Sequence, residues 1–240
     1  MRLPGGSGPH PVVVVIHGGF WRVGYDRGHI AALCAALAAR GYLTAAIEYR
    51  RVGAGRSGWP ATFDDVAAVL DTLPDLLGGH ADRSRVVLLG HSAGGHLALW
   101  SAGRHRLSDH SPWLRRDPVP IRGVVSLAGV ADLALAFRLT LGGNAVGDLL
   151  GGRPQDYPDR YAATDPSRLV PLGVPTVLLH GSADRIVPIE VSRSYAKAAA
   201  DAGDSVRLLE LPGVEHFGLI DPLSPAWHWV IESLADLTMT

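Results

Sequence analysis

The stretch Arg85-Val86-Val87-Leu88-Leu89-Gly90-His91-Ser92-Ala93-Gly94-Gly95-His96-Leu97-Ala98-Leu99-Trp100 sets a strand against a helix with one serine at the joint. A β-branched and leucine run ends at Gly90, and an alanine- and leucine-rich run suited to a helix begins just after Ser92. The glycines at 90 and 94 let the backbone fold tightly around the serine, which is then lifted above the carboxyl end of its strand while the next helix aims its N-terminus at the same space. A chain with 29 glycines can meet Gly-x-Ser-x-Gly by chance. The strand before it and the helix after it are what make it a nucleophile elbow.

Working outward, Val12–Ile16 is a continuous apolar run of the kind a parallel strand shows when covered on both faces. It enters the glycine-rich loop His17-Gly18-Gly19-Phe20-Trp21-Arg22, then a helix with Ile30, Leu33, Cys34 and Leu37 inward, closed by Gly41. Leu43–Tyr49 is the second strand, and 50–60 a loop. A helix follows with Phe63, Val66, Ala67, Leu70 and Leu73 on one face, kinked or ended near Pro74. Val86–Leu89 is the third strand and Ala93–Leu107 its helix. Residues 108–120 read as a surface loop, Gly123–Leu127 as the fourth strand. The excursion 129–171 exceeds an ordinary connection and suggests a cap. Inside it Leu133, Leu135, Phe137, Leu139 and Leu141 alternate as in a strand while the intervening alanines tolerate helix, so that element stays open. Thr176–Leu179, Ile189–Ala202, Val206–Leu211 and Pro225–Leu237 complete the alternation, the last helix with Trp227, Val230, Ile231 and Leu234 inward. Strands alternating with helices predict one α/β domain over residues 1–240 with a parallel sheet covered on both faces.

Bulk properties exclude several classes of function. With a formal net charge of −1 there is no electrostatic footprint for nucleic acid or an anionic membrane, so a small molecule is the expected partner. Cys34, the single cysteine, excludes an internal disulfide framework and reads as helix packing in a reducing compartment. Residues 1–9 carry no apolar signal-like run, and a cytoplasmic location is expected.

In open α/β sheets, ligands sit at the carboxyl ends of strands, and that rule sorts the titratable residues. A serine nucleophile needs a base within hydrogen-bond reach and a carboxylate to fix the tautomer of that base, in the chain order serine, acid, histidine. His216 follows the last strand and precedes the last helix, which makes it the candidate base. Asp184, after the fifth strand, is preferred as acid over Asp132, which reads as a helix N-cap; Asp221 is expected to cap near the last helix. Glu215 reads as solvated. His228 lies inside the final helix, His91 and His96 are expected to serve packing or helix solvation, and His180 precedes the carboxylate. His10, His29, His80, His105 and His110 are expected to be exposed. No pair has metal-site spacing, and no metal or cofactor is called for. The loop after the first strand supplies backbone N–H donors for a developing oxyanion, Gly19 or Phe20 together with Ala93.

His17-Gly18-Gly19-Phe20-Trp21, Gly90-His91-Ser92-Ala93-Gly94-Gly95-His96-Leu97-Ala98, Leu150-Gly151-Gly152, His180-Gly181-x-x-Asp184 with Val187-Pro188, and His216-Phe217 together resemble an α/β-hydrolase. More narrowly they are similar to small carboxylesterases grouped with kynurenine formamidase and the hormone-sensitive-lipase-like esterases. The resemblance implies Ser92 as nucleophile, Asp184 as acid, His216 as base, a small cap over the pocket, and Trp21, Phe137 and Phe217 along the substrate. It implies a cofactor-free serine hydrolase of a small-molecule ester or amide. An arylformamidase would further need a partner for an amino-acid head group, for which Arg22, Arg50 and Arg51 are available; a binding protein that lost the chemistry is the alternative from another class. One departure stands out. The fold usually carries two more strands before the one ending in His-Gly-Gly, so six strands are expected here, with Leu43–Tyr49 an exposed edge covered by the N-terminal tail or by a second subunit in a homodimer.

Overall fold

The computed structural model describes residues 1–53, 58–116 and 120–239; of the loops expected at 50–60 and 108–120, residues 54–57 and 117–119 lie outside it. Six strands form one sheet: β1 (His10–Ile16), β2 (Leu43–Ile47), β3 (Ala81–His91), β4 (Gly123–Leu127), β5 (Thr176–Gly181) and β6 (Val206–Leu211). Their order is β2-β1-β3-β4-β5-β6 and every pairing is parallel, so β2 and β6 are the edges. The strand expected at 43–49 is therefore an edge, and its outer side is met by the tail: Arg2 and Thr44 exchange N–H to carbonyl hydrogen bonds of 2.9 and 3.0 Å.

Period-two alternation sends successive residues of each strand to opposite faces. Val12, Val14, Ile16, Val86, Leu88 and Val124 join one core with α2 (Ala61–Leu76), α3 (Ala93–Ala102) and α7 (Glu190–Asp201). Val13, Val15, Val87, Leu89, Val125 and Leu127 join the other with α1 (Ala31–Ala39) and α8 (Trp227–Thr238). Helices on both faces of a parallel sheet bring the carboxyl ends of all six strands to one edge, where their loops converge.

Several expectations change in detail. The helix after the elbow stops at Ala102, where Gly103 leads into a short 3-10 turn over Arg104–Arg106. The helix over 61–76 runs just beyond Pro74. The 108–120 segment is not a loosely packed surface loop throughout. Trp113 is buried, its indole N–H donates to Asp64 (2.8 Å), and its ring packs on Trp59, Phe63 and Trp100. The undecided element in the 129–171 excursion is helical: α4 (Leu133–Arg138), followed by α5 (Leu141–Leu150) and α6 (Pro158–Thr164). Asp132 caps α4 as expected, accepting from the Leu135 N–H at 2.8 Å. Asp221 accepts from the Leu223 N–H (2.9 Å) ahead of α8. Cys34 is buried, and burial pushes its thiol up to about 11. Among the described residues no helix is long and apolar enough to cross a membrane.

Candidate active site

At the end of β3, Ser92 is the one residue between strand and helix, with φ 54° and ψ −118°. A non-glycine residue held there stores strain of order 1–3 kcal/mol, which the surrounding contacts must sustain. They do so from three sides. The Ser92 N–H donates to the Leu127 carbonyl (2.8 Å), and the Ser92 carbonyl accepts from His96 and Val130, both at 3.2 Å. The glycines of the motif are required by close approach: a Cβ on Gly90 would sit 2.1 Å from the Gly94 carbonyl oxygen, and one on Gly94 would sit 2.1 Å from that of Ile16. A side chain at Gly94 would press on the end of β1, and one at Gly90 on the backbone of the turn itself.

The glycine loop after β1 lies directly against this turn. A Cβ on Gly18 would meet the Ser92 Cβ at 3.1 Å. Gly19, Phe20 and Trp21 take positive φ in succession (110°, 52° and 56°), so the loop doubles back sharply and Arg22 N–H returns to the Gly19 carbonyl (3.0 Å). Beneath it His17 is fully buried. Its Nδ1 donates to the Gly18 carbonyl (2.7 Å), its Nε2 faces Glu48 Oε1 (2.8 Å), and Tyr49 Oη donates to the His17 carbonyl (2.9 Å). A trans peptide sets its C=O and N–H in opposite directions, so the bond that holds the Gly18 carbonyl toward His17 turns the Gly19 N–H away from it.

The loops carrying the candidate acid and the candidate base meet at the ends of β5 and β6. Ser182 N–H bonds to the Leu211 carbonyl (2.9 Å), Ala183 N–H to that of Val214 (3.1 Å), and Gly213 N–H to Ser182 Oγ (3.0 Å). These stitches carry Asp184 to His216, whose Nδ1 donates to Asp184 Oδ2 at 2.6 Å. The other carboxylate oxygen accepts from the N–H groups of Ile186 (2.8 Å) and Val187 (2.9 Å). Burial opposes the charge on Asp184, yet hydrogen bonds from His180, His216 and the Val187 N–H outweigh it and hold the carboxyl well below the usual range. With its proton fixed on Nδ1, His216 keeps Nε2 as a lone-pair acceptor.

His91 joins the base to the elbow. Its Nε2 donates to the His216 carbonyl (3.1 Å) and the two rings lie 4.5 Å apart. Burial is the main reason its pKa lies well below the ordinary histidine value, so it is a neutral donor. His180 stands behind the acid. It donates from Nε2 to the Val187 carbonyl (2.8 Å), accepts at Nδ1 from Ser192 Oγ (2.8 Å), and lies 3.4 Å from Asp184 Oδ2. Sequence reasoning missed both roles; the available signals were adjacency to Ser92 for His91 and a position four residues before the acid for His180.

The remaining candidates divide. Phe217 is half-exposed beside the base, 5.3 Å from the His216 ring. His29, expected to be exposed, is instead half-buried against Phe217 (5.6 Å). Trp21 is fully buried with its indole N–H on His96, and Phe137 packs against Tyr161 of α6. The three arginines near the loop are all engaged: Arg22 with Gly142 O and Asp148, Arg50 with Asp65, Arg51 with the Tyr25 carbonyl and Glu48.

Comparison with known proteins places this geometry. Esterase LipQ of Mycobacterium tuberculosis is 26% identical over 211 residues, covering 86% of this chain and 50% of that protein. Esterase LipC of the same organism is 28% identical over 230 residues, covering 89% and 54%. The chain thus spans about half the length of the relatives it matches. Among solved structures, a truncated carbohydrate esterase from gut microbiota superposes with a TM-score of 0.78 over 96% of this chain and 87% of that one at 20% identity, so the fold is that of the α/β-hydrolases. The BD-FAE family model matches residues 3–198, most of the sheet with the elbow, the glycine loop and the acid, and the chain belongs to the BD-FAE family.

Proposed function

We propose that this chain is a cofactor-free serine hydrolase of small-molecule carboxylic esters, with Ser92 as nucleophile, His216 as base and Asp184 as acid. The observation that carries the reading is the 2.6 Å hydrogen bond from His216 Nδ1 to Asp184, on a base whose ring lies against the residue preceding Ser92. Ser92 Oγ attacks the ester carbonyl carbon as its proton passes to His216 Nε2. The carbonyl oxygen becomes an oxyanion held by the N–H of Ala93 and that of Gly19 or Phe20, each such donor contributing roughly 10²–10³ in rate. The C–O bond then breaks, and His216 returns the proton to the departing alkoxide. Water, deprotonated by the same base, attacks the acyl carbon; the C–Oγ bond to Ser92 breaks, His216 returns the proton to Ser92 Oγ, and the carboxylic acid leaves. The similarity to esterases over most of the chain supports ester chemistry. The engagement of Arg22, Arg50 and Arg51 supports it over a formyl anilide bearing an amino-acid head group. The single buried cysteine fits a reducing, cytoplasmic setting.

The test is labelling with a fluorophosphonate followed by peptide mass spectrometry. The wild type should carry the adduct on Ser92, and Ser92→Ala should carry none and lose at least about 10³-fold in turnover of nitrophenyl acetate. An adduct that persists in Ser92→Ala overturns the assignment. Faster turnover of N-formylkynurenine than of the acetate overturns the choice of ester.

A further inference from the structure

We propose that His96 is a positioning residue for the reaction proposed above, a neutral bracket that fastens the oxyanion loop to the elbow helix and to the cap at once. His96 lies in α3, the helix that begins at the elbow, and is completely buried. The indole N–H of Trp21, which can only donate, points at its Nδ1 (3.2 Å). Its single proton is therefore on Nε2, which donates to the Thr164 carbonyl (2.9 Å) at the end of the last cap helix. One side chain thus satisfies a donor from the glycine loop and an acceptor from the cap. Burial pushes its pKa down to about 4, so the one-donor, one-acceptor state persists across the neutral range.

Position gives this bond a catalytic consequence. Trp21 directly follows Gly19 and Phe20, the loop residues proposed as oxyanion donors, and completes their run of positive φ. Its carbonyl is held from the far side by the Val52 N–H (2.7 Å). The next residue, Arg22, reaches the Gly142 carbonyl (2.6 Å) and Asp148 (2.7 Å) of α5. Two consecutive loop residues are therefore tied to two helices of the 129–171 segment, Trp21 to the end of α6 through His96 and Arg22 directly to α5. Misplacing an oxyanion donor by an ångström weakens binding of the charge that develops in the transition state while leaving substrate binding nearly unchanged.

The experiment compares three variants with wild type on a nitrophenyl ester, alongside thermal melting. His96→Leu should lose tenfold or more in kcat with KM changed less than threefold. His96→Gln, whose amide keeps one acceptor and one donor at similar spacing, should stay within threefold of wild type. Trp21→Phe, which removes the indole N–H, should fall with His96→Leu. A folded His96→Leu with kcat within twofold of wild type overturns the inference, as does a Gln variant no better than Leu. If His96→Leu does not fold, an unimpaired Trp21→Phe overturns it. This rests on Ser92 as nucleophile, and the two fail separately. Wild type that takes no fluorophosphonate at Ser92 defeats the mechanism, whereas labelled wild type with indifferent bracket variants defeats only the bracket.

Discussion

Asp184 keeps its charge against burial. Its side chain is inaccessible to solvent, a setting that raises a carboxyl pKa, yet three groups donate to it and two histidines flank one oxygen. Because its folded pKa is depressed below the unfolded value near 4, its contribution to stability is fully present above that pH and is lost as pH falls through the folded pKa. Asp184→Asn should therefore be less stable than wild type near pH 7, with the gap narrowing as pH drops below about 4; a gap that widens in acid would contradict the sign. In catalysis the amide would favour the wrong tautomer of His216, and a loss of about 10⁴ in kcat is expected from steady-state kinetics. Ser92, Asp184 and His216 stand out as candidates in the sequence because each follows a strand in the order this architecture uses, and the structure brings Asp184 and His216 into a 2.6 Å hydrogen bond. The roles of His91, His96 and His180 could not be read there, because the carbonyls they hold, those of His216, Thr164 and Val187, are brought to them only by the folded chain.

The 129–171 excursion was the least legible part of the chain. Leu133, Leu135, Phe137, Leu139 and Leu141 alternate as in a strand, but in α4 only Leu133 and Ala136 turn fully inward while Leu135 and Phe137 are half-buried and Leu139 is exposed. The alternation does not correspond to one buried face: Leu135 and Phe137 pack only partly against the core and Leu139 stays exposed. What could be read was the N-cap Asp132, and the structure adds a second carboxylate there. Asp165, fully buried at the end of α6, accepts from the Ala134 N–H (3.1 Å) and from the N–H and Oγ of Ser167 (3.2 and 2.8 Å). It thereby ties the end of α6 to the start of α4. Burial first, and the Asp132 charge second, push its pKa up to about 6. Between about pH 4 and pH 6 the native state holds a proton that the unfolded chain releases, so this residue makes stability fall as pH rises, by on the order of 3 kcal/mol. Asp165→Asn cannot titrate, and its stability relative to wild type should improve from pH 4 to pH 7 in chemical denaturation. A difference that does not change with pH would remove the charge from the cap's energetics.

At the scale of the whole molecule, six parallel strands and the edge at β2 were expected from six apolar runs separated by helical ones, while the strand order and the second edge at β6 come from the structure. The edges differ in how they avoid pairing with another chain. β6 carries Arg207 and Glu210, each in an ion pair, with Asp236 and Arg193. β2, Leu-Thr-Ala-Ala-Ile, carries no charge and would be an open apolar edge. The tail meets its outer side through the two hydrogen bonds between Arg2 and Thr44. In a strand, alternate N–H groups point to opposite sides, so Thr44 and Ala46 face outward together while Leu43, Ala45 and Ile47 face β1. The Thr44 amide should accordingly exchange slowly with solvent deuterium and the Ala46 amide faster. Removing residues 1–8 should erase that difference and raise the associated fraction in sedimentation velocity relative to the full chain, because the bare edge then has a second copy as its available partner. A truncated chain that associates no more than the full one, with Thr44 still protected, would mean that the edge is shielded by something other than the tail.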